Sequence, residues 1–162
     1  MIHLIVGNTG AGKTIYSNAL KLTTKGIIFS IDTWNNTLFI PDKKPHDGID
    51  WFLERIDRSE VLIMNLVKQL EESKIDTILD LGFSKFIHRQ KFIDFATSNS
   101  FKISMHYLDV SKKTRLNRIL QRNKDKGETF EFEVTKENFD FMEDWFEKPN
   151  NTELKKCIVI NE

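Results

Sequence analysis

The chain has 162 residues with 24 basic and 24 acidic side chains, so it carries no net charge, and this length predicts a single domain, residues 1–162, with a substantial core. The neutral balance argues against a protein that coats nucleic acid or membrane through bulk charge. A single cysteine, Cys157, excludes an internal disulfide framework, and without a signal peptide or spanning segment the sequence predicts a cytoplasmic protein.

The first half of the chain alternates between predicted strands and helices. An apolar run at residues 1–6 predicts a buried strand, residues 15–22 predict a helix and residues 26–30 a second strand. A polar, turn-rich stretch follows, marked by Asn35, Asn36, Pro41, Pro45 and Gly48. Residues 49–74 then carry apolar side chains at helical spacing, which predicts a long helix with a possible division at residues 57–60.

The second half continues this alternation. Three further apolar runs predict strands: residues 76–81, 102–110 and 156–160. Hydroxyl side chains that precede helical patterns are expected to act as N-caps: Ser84, Ser111 and Thr135, the last of which begins the final predicted helix. Five strands with interleaved helices predict an α/β fold, namely a three-layer α/β/α sandwich around a five-stranded parallel sheet.

The segment between the first strand and the first helix matches the phosphate-binding pattern G-x-x-x-x-G-K-[ST], through Gly7, Asn8, Thr9, Gly10, Ala11, Gly12, Lys13 and Thr14. Such a loop directs several backbone N–H groups and the positive end of a helix dipole at one point, which favours a polyphosphate. Lys13 is expected to contact the β- and γ-phosphates of ATP or GTP, and the Thr14 hydroxyl to bind Mg²⁺. The other interpretation is a glycine-rich turn with an exposed lysine.

Two aspartates end predicted strands on the same edge of the sheet as this loop. Ligands of open parallel sheets bind beyond the carboxyl ends of the strands. Asp32 follows the second strand and either accepts the proton of a hydroxyl acceptor or initiates a turn. Asp80 closes the third strand and either holds the magnesium shell through water or caps a turn.

Three arginines share one face of the helix after the fourth strand, because Arg115, Arg118 and Arg122 are spaced by three and four residues. Arg118 and Arg122 are expected to stabilise the charge of a transferring phosphoryl group, at the base of a mobile lid around residues 118–133. The alternative is a solvated basic face of the helix.

Two other residues are candidates for the acceptor side of a site. Trp34 either walls an acceptor pocket or packs under the loop that carries it. Arg89 either reaches a substrate or a phosphate, or forms a surface salt bridge. The four histidines show no metal-ligand spacing with one another or with Cys157.

Together these residues resemble the small P-loop kinases of the zeta-toxin, chloramphenicol phosphotransferase and polynucleotide kinase group, within the AAA-type P-loop ATPases. The resemblance covers nearly the whole chain and rests on residues 7–14, on Ser30-Ile31-Asp32, on Asp80-Leu81-Gly82-Phe83 with Arg89, on residues 118–123 and on the tail at residues 146–153. It implies a five-stranded parallel core, ATP with Mg²⁺, Asp32 as general base, and Arg118 and Arg122 as lid arginines. The arginine that such kinases usually carry soon after the base is replaced by Trp34-Asn35-Asn36.

These inferences predict an ATP-dependent phosphotransferase that acts on a hydroxyl of a small-molecule acceptor, without a membrane partner. One alternative is a kinase for a nucleic-acid 5′-hydroxyl or a nucleotide, although a monophosphate acceptor would want more arginines than Arg55 and Arg58 in the middle region. Another is a nucleotide-binding ATPase or regulatory module of low turnover, which needs neither Asp32 nor the arginine lid. The acceptor and the oligomeric state do not follow from the sequence.

Overall fold

The computed structural model describes residues 1–127, 130 and 133–161, which form a five-stranded parallel sheet. The strands are β1 (Ile2–Val6), β2 (Ile27–Ser30), β3 (Thr77–Asp80), β4 (Ile103–Asp109) and β5 (Cys157–Asn161). They are hydrogen-bonded in the order β2-β3-β1-β4-β5, and every neighbouring pair is parallel. The predicted number and direction of the strands are therefore confirmed.

Within the described ranges, seven α-helices accompany the strands: α1 (Lys13–Thr24), α2 (Ile31–Trp34), α3 (Ile49–Glu72), α4 (Phe86–Ser98), α5 (Lys112–Asp125), α6 (Lys136–Trp145) and α7 (Asn151–Leu154). The N-caps predicted at Ser111 and Thr135 are confirmed, because their hydroxyls accept from backbone N–H groups of α5 and α6. The short helix α7 follows the helix that was predicted as the last. No helix in the described part of the chain is long and apolar enough to cross a membrane.

The sheet carries an apolar core on each of its two faces. Successive side chains of a strand point to opposite faces, so Leu4 packs with Ile63 of α3 and Phe92 of α4, whereas Ile5 packs in another cluster with Leu20 of α1. All residues of β1 are buried, because helices cover both sides of this central strand. The predicted three-layer α/β/α P-loop sandwich is confirmed.

The polar stretch after β2 is more helical than the sequence predicts. The Ser30 hydroxyl accepts from the backbone N–H of Thr33 at 3.3 Å, so α2 begins directly after the strand. A π-helical turn at Asn35–Phe39 and a 3₁₀ turn at Ile40–Asp42 continue the segment. An N-cap at the last residue of the strand, Ser30, therefore outweighs the turn preference of the Asn and Pro residues that follow.

The long helix α3 runs unbroken, so the division considered at residues 57–60 does not occur. Glu60 is only 1% exposed, and its carboxylate accepts from the Lys91 ammonium at 2.7 Å and lies 2.5 Å from Nε2 of His88. Both partners belong to α4. Asp57 and Glu60, two of the residues that suggested a break, instead join α3 to α4.

The start of α4 differs from the prediction as well. Ser84 does not cap this helix, because its hydroxyl donates to the carbonyl of Gly82 at 3.3 Å. The backbone N–H of Phe86 donates instead to a carboxylate oxygen of Glu147 at 2.8 Å. A side chain from 61 positions further along the chain thus does the work expected of a local cap.

Part of the predicted lid at residues 118–133 lies outside the described residues, namely 128–129 and 131–132. The side chain of Asn123, near the end of α5, is hydrogen-bonded to the backbone of Val134, the residue just after this segment. The Asn123 amide donates to the carbonyl of Val134 at 2.8 Å, and its oxygen accepts from the Val134 N–H at 3.3 Å. The base of the segment is therefore closed where α5 ends.

Candidate functional site

Residues 7–14 connect β1 to α1 through a loop in which two glycines take a left-handed conformation. Gly10 and Gly12 have φ angles of +80° and +94°, which a residue with a Cβ atom adopts only with strain. The backbone N–H of Ala11 donates to the carbonyl of Asn8 at 3.0 Å. Gly12 is the N-cap of α1 and has no side chain to satisfy the first N–H groups of the helix, so these groups suit an anion.

Two helices hold this loop in place. Arg115 of α5 is buried, and its guanidinium donates to the Thr9 carbonyl at 3.2 Å and to the Glu143 carboxylate of α6 at 2.5 Å. The same Glu143 oxygen accepts from the Asn8 amide at 2.6 Å. A Cβ on Gly10 would lie 2.7 Å from the Arg115 carbonyl oxygen, so α5 packs directly on the loop. Sequence reasoning missed Glu143, because no local pattern links it to partners on other elements.

Lys13 and Thr14 lie at the carboxyl end of β3. The Lys13 ammonium donates to the Gly7 carbonyl at 3.0 Å, and the Thr14 hydroxyl donates to Oδ2 of Asp80 at 3.4 Å. A hydroxyl and a carboxylate in this position fit Mg²⁺, which takes oxygen ligands. Among the described residues, no group of three or more His, Cys, Asp or Glu side chains could hold a metal by itself. A magnesium ion would therefore depend on phosphate oxygens as well.

Asp32 lies in the first turn of α2, close to the other charged groups of the site. Since β2 and β3 pair with Ser30 opposite Asp80, the two aspartates share one edge of the sheet. Burial raises the pKa of Asp80, and the charge of Asp32 raises it further, whereas Lys13 acts in the opposite direction. Burial also lowers the pKa of the Arg122 guanidinium, against the effect of Asp32. The structure thus brings these four predicted residues together.

These side chains line a cavity of about 730 Å³, a size typical of sites for small molecules. Arg118 lines it too, and its guanidinium donates to the Ala11 carbonyl at 3.2 Å, so it lies over the loop. Arg118 and Arg122 therefore face the cavity from α5. Arg115 does not line it, because its guanidinium is used in bracing the loop.

Trp34 lines a second cavity of about 280 Å³ between α1 and α2, which shares Thr14 and Asp80 with the first. Its ring also packs edge-on against Phe29, with the ring centroids 6.0 Å apart. Trp34 thus packs against β2 beside a small cavity, and its role as the wall of an acceptor pocket stays a prediction. It does not line the large cavity in which Asp32 lies.

Arg89 lines neither cavity, so the interpretation of this residue as a contact to substrate or phosphate is corrected. The side chain is fully buried, and Nε and Nη2 donate to the two carboxylate oxygens of Glu153 at 2.6 and 3.1 Å. Nη1 donates to the carbonyls of Phe83 and Glu147 at 3.1 and 3.0 Å. All three nitrogen atoms are used inside the protein, and the alternative of a surface salt bridge is wrong too.

Helix α6 supplies a wall of the cavity that the sequence does not predict, through Asn138, Phe141 and Met142. Their spacing of three and four residues places them on one helix face. The apolar pattern of this helix is visible in the sequence. Which face meets the cavity, however, depends on the tertiary contacts of the opposite face, so no local signal identifies these residues.

Comparison with known proteins places this geometry in a family. A family model described as an AAA domain matches residues 2–149. No curated protein matches the sequence. Similar solved structures include a putative kinase from Chloroflexus aurantiacus, which is 15% identical with a TM-score of 0.71 over 99% of this chain and 84% of that chain.

Two further structures were solved with nucleotide analogues. Kti12 from Chaetomium thermophilum in complex with ADP-AlF3 is 13% identical with a TM-score of 0.69, over 100% of this chain and 88% of that chain. The APS kinase CysC of Mycobacterium tuberculosis, in complex with AMPPNP and APS, is 12% identical with a TM-score of 0.64, over 99% and 87%. At such identities the likeness establishes the fold. The AAA-type family is confirmed by the family model, and the resemblance to small P-loop kinases is confirmed at the level of the fold.

Proposed function

Since this chain belongs to the AAA domain family, we propose that it is an ATP-dependent phosphotransferase that moves the γ-phosphate of ATP to a hydroxyl of a small-molecule acceptor. The observation that carries the proposal is the convergence of Lys13, Asp32, Asp80 and Arg122 on one cavity beside the loop of residues 7–14. Phosphoryl transfer needs a lysine that contacts the phosphates, a carboxylate that accepts a proton and an arginine that stabilises the developing charge.

The loop of residues 7–14 forms the donor half of the proposed site. Its backbone N–H groups and Lys13 would hold the phosphates, and Thr14 with Asp80 would hold Mg²⁺. When bound, the ion neutralises charge on the β- and γ-phosphate oxygens. The ADP-AlF3 and AMPPNP in two similar structures support a nucleotide in this position.

Asp32 is the proton acceptor in this proposal. The acceptor oxygen forms a bond to the γ-phosphorus while the bond between that phosphorus and the β–γ bridging oxygen breaks, and ADP leaves. The proton of the acceptor hydroxyl passes to the Asp32 carboxylate. Arg118 and Arg122 stabilise the negative charge on the transferring group, at the base of the lid proposed for residues 118–133.

A transfer screen tests this function. The protein is incubated with γ-labelled ATP, Mg²⁺ and a panel of sugars, nucleosides, nucleotides and a 5′-hydroxyl oligonucleotide, beside a control without acceptor. We expect labelled product with a small-molecule alcohol, and none with the Lys13→Ala variant. Labelled oligonucleotide or nucleotide would establish the first alternative instead, and phosphate release to water alone would establish an ATPase of low turnover.

A further inference from the structure

The face of α6 that lines the cavity is held in position by the contacts that the opposite face of this helix makes. Phe139 is 1% exposed, and Glu143 is held between Arg115 and Asn8. These contacts orient the helix so that Phe141 and its neighbours on that face line the cavity. The position of this wall is therefore set before any ligand binds.

An aromatic stack is built into this wall. The rings of Phe141 and Trp145 are stacked, with their centroids 5.7 Å apart and an interplanar angle of 21°. The Lys85 ammonium lies 4.3 Å from the centroid of the Trp145 ring and pairs with the Glu147 carboxylate at 3.2 Å. Phe141 itself is 52% exposed. An exposed aromatic ring that lines a cavity and is supported by a second ring suits a planar partner.

The helix that carries the stack is joined to the loop that follows β3. The backbone N–H of Glu147, just after α6, donates to the carbonyl of Ser84 at 2.8 Å. The end of α6 is therefore joined to the loop that follows Asp80, the residue that shares one edge of the sheet with Asp32, the proposed proton acceptor. Arg118, by contrast, lies over Ala11 on the phosphate loop itself.

The charges of the cavity are distributed unevenly. Of the described residues that line it, three are cationic, Lys13, Arg118 and Arg122, and all three are assigned to the phosphates of ATP. The wall formed by α6 and the loop after β3 contributes uncharged residues: Gly82, Ser84, Asn138, Phe141 and Met142. Lys85, the cation beside the stack, does not line the cavity and is paired with Glu147. Among the described residues that line this wall, none is a cation that could receive a second anion, whose burial without a partner is costly.

We propose, on the basis of the proposed kinase function, that this wall is the acceptor subsite and selects an uncharged alcohol that carries a planar ring. The ring stacks on Phe141, and Ser84 and Asn138 hydrogen-bond to its polar edge. Asp32 then receives the proton of a hydroxyl attached to that ring system. Nucleoside monophosphates and nucleic acids are selected against, because the described residues that line this wall offer no cation to their phosphates, and Lys85 beside it is paired with Glu147.

Three probes that share one 5′-hydroxyl test this subsite: uridine, methyl β-D-ribofuranoside, which lacks the base, and 3′-uridine monophosphate, which adds an anion. We expect kcat/KM for γ-phosphate transfer to be about tenfold or more higher with uridine than with either of the others, since stacking on one aromatic ring is worth roughly 1–3 kcal/mol. Phe141→Ala should raise the KM for uridine by about tenfold and leave the KM for ATP unchanged, and Phe141→Trp should restore it. Phe86→Ala, an exposed phenylalanine outside the cavity, is the matched control.

Three results would overturn the inference: equal or better transfer to the base-free or the anionic probe, no transfer to uridine, or a Phe141→Ala variant that changes the KM for ATP instead. The last result would assign the stack to the adenine of the donor. Failure of the kinase function itself looks different, because phosphate would then be released to water with every hydroxyl compound of the screen.

Discussion

Arg89 and Glu153 illustrate what one buried charge does in this molecule. The guanidinium is fully buried and meets the Glu153 carboxylate with two hydrogen bonds. Two further bonds reach backbone carbonyls, one after β3 and one after α6. A buried ion pair adds little to the stability of the fold, but loss of one partner leaves the other as an unpaired charge buried away from water. We therefore assign this pair to holding the loop after β3 against α7.

Substitution of Arg89 tests this assignment. Arg89→Met should lower the free energy of unfolding by about 3–5 kcal/mol, because Glu153 then remains buried without its partner. Arg58→Met is the control: its side chain is 61% exposed, so we expect a change within about 0.5 kcal/mol. Urea denaturation followed by circular dichroism measures both. A loss below about 1 kcal/mol for Arg89→Met would contradict the assignment.

Lys13 and Arg89 show which side-chain positions could be predicted from the sequence and which could not. Lys13 lies in a motif of eight neighbouring residues, so its surroundings are local and visible. Asp32 and Asp80 could be placed on one edge from strand ends alone, because parallel strands end together. Arg89 could not, because its partner Glu153 is 64 positions away and the contact exists only in the folded chain.

At the scale of elements, α4 owes its beginning to a distant side chain. The Glu147 carboxylate accepts from the N–H of Phe86 and pairs with Lys85. The Phe86 hydrogen bond, with the charge of Lys85, holds the pKa of Glu147 below its usual range. Strands and the helices of clear periodicity could be predicted from the sequence. This cap could not, since the ordinary local signal, a hydroxyl residue before the helix, indicates Ser84 instead of Glu147.

Removal of the Glu147 carboxylate should weaken α4. Glu147→Ala is expected to lower the free energy of unfolding by roughly 0.5–1 kcal/mol, the usual effect of losing an exposed cap of this kind. Ser84→Ala should change stability by less than that, because the Ser84 hydroxyl does not cap the helix. Thermal unfolding of the two variants at neutral pH compares them. A larger loss of stability with Ser84→Ala than with Glu147→Ala would contradict this account and indicate that the Ser84 hydroxyl caps α4.

At the scale of the whole molecule, a buried polar chain joins the sheet to α1. Nε2 of His106 lies 3.0 Å from Nδ1 of His3, and its Nδ1 lies 2.8 Å from the Tyr16 hydroxyl. Burial, with the nearby His3, lowers the pKa of His106 to about 4. The sequence predicted the layers that enclose these residues. It could not predict that β1 and β4 would be neighbours, and therefore not that the two histidines would meet.

We expect this row of hydrogen-bonded side chains to make the stability of the fold sensitive to acid. The folded state keeps His106 neutral while the unfolded state protonates it near pH 6.5, so stability falls as the pH drops from about 6.5 to about 4. His106 is expected to lower the free energy of unfolding by an amount on the order of 3 kcal/mol over that pH range. His106→Gln should show a shallower loss of stability over this range in urea titrations. His46→Gln, with a side chain 79% exposed, should follow the wild type.

The central claim is that Asp32 receives a proton during γ-phosphate transfer, and the Asp32→Asn variant tests it most directly. The measurement is kcat for transfer to the acceptor that the screen identifies, beside ATP affinity by calorimetry, with the exposed Asp42→Asn as a charge-matched control. We predict that Asp32→Asn binds ATP like the wild type and transfers phosphate on the order of hundreds of times more slowly, while the control is unaffected. Transfer at the wild-type rate by Asp32→Asn would contradict the account.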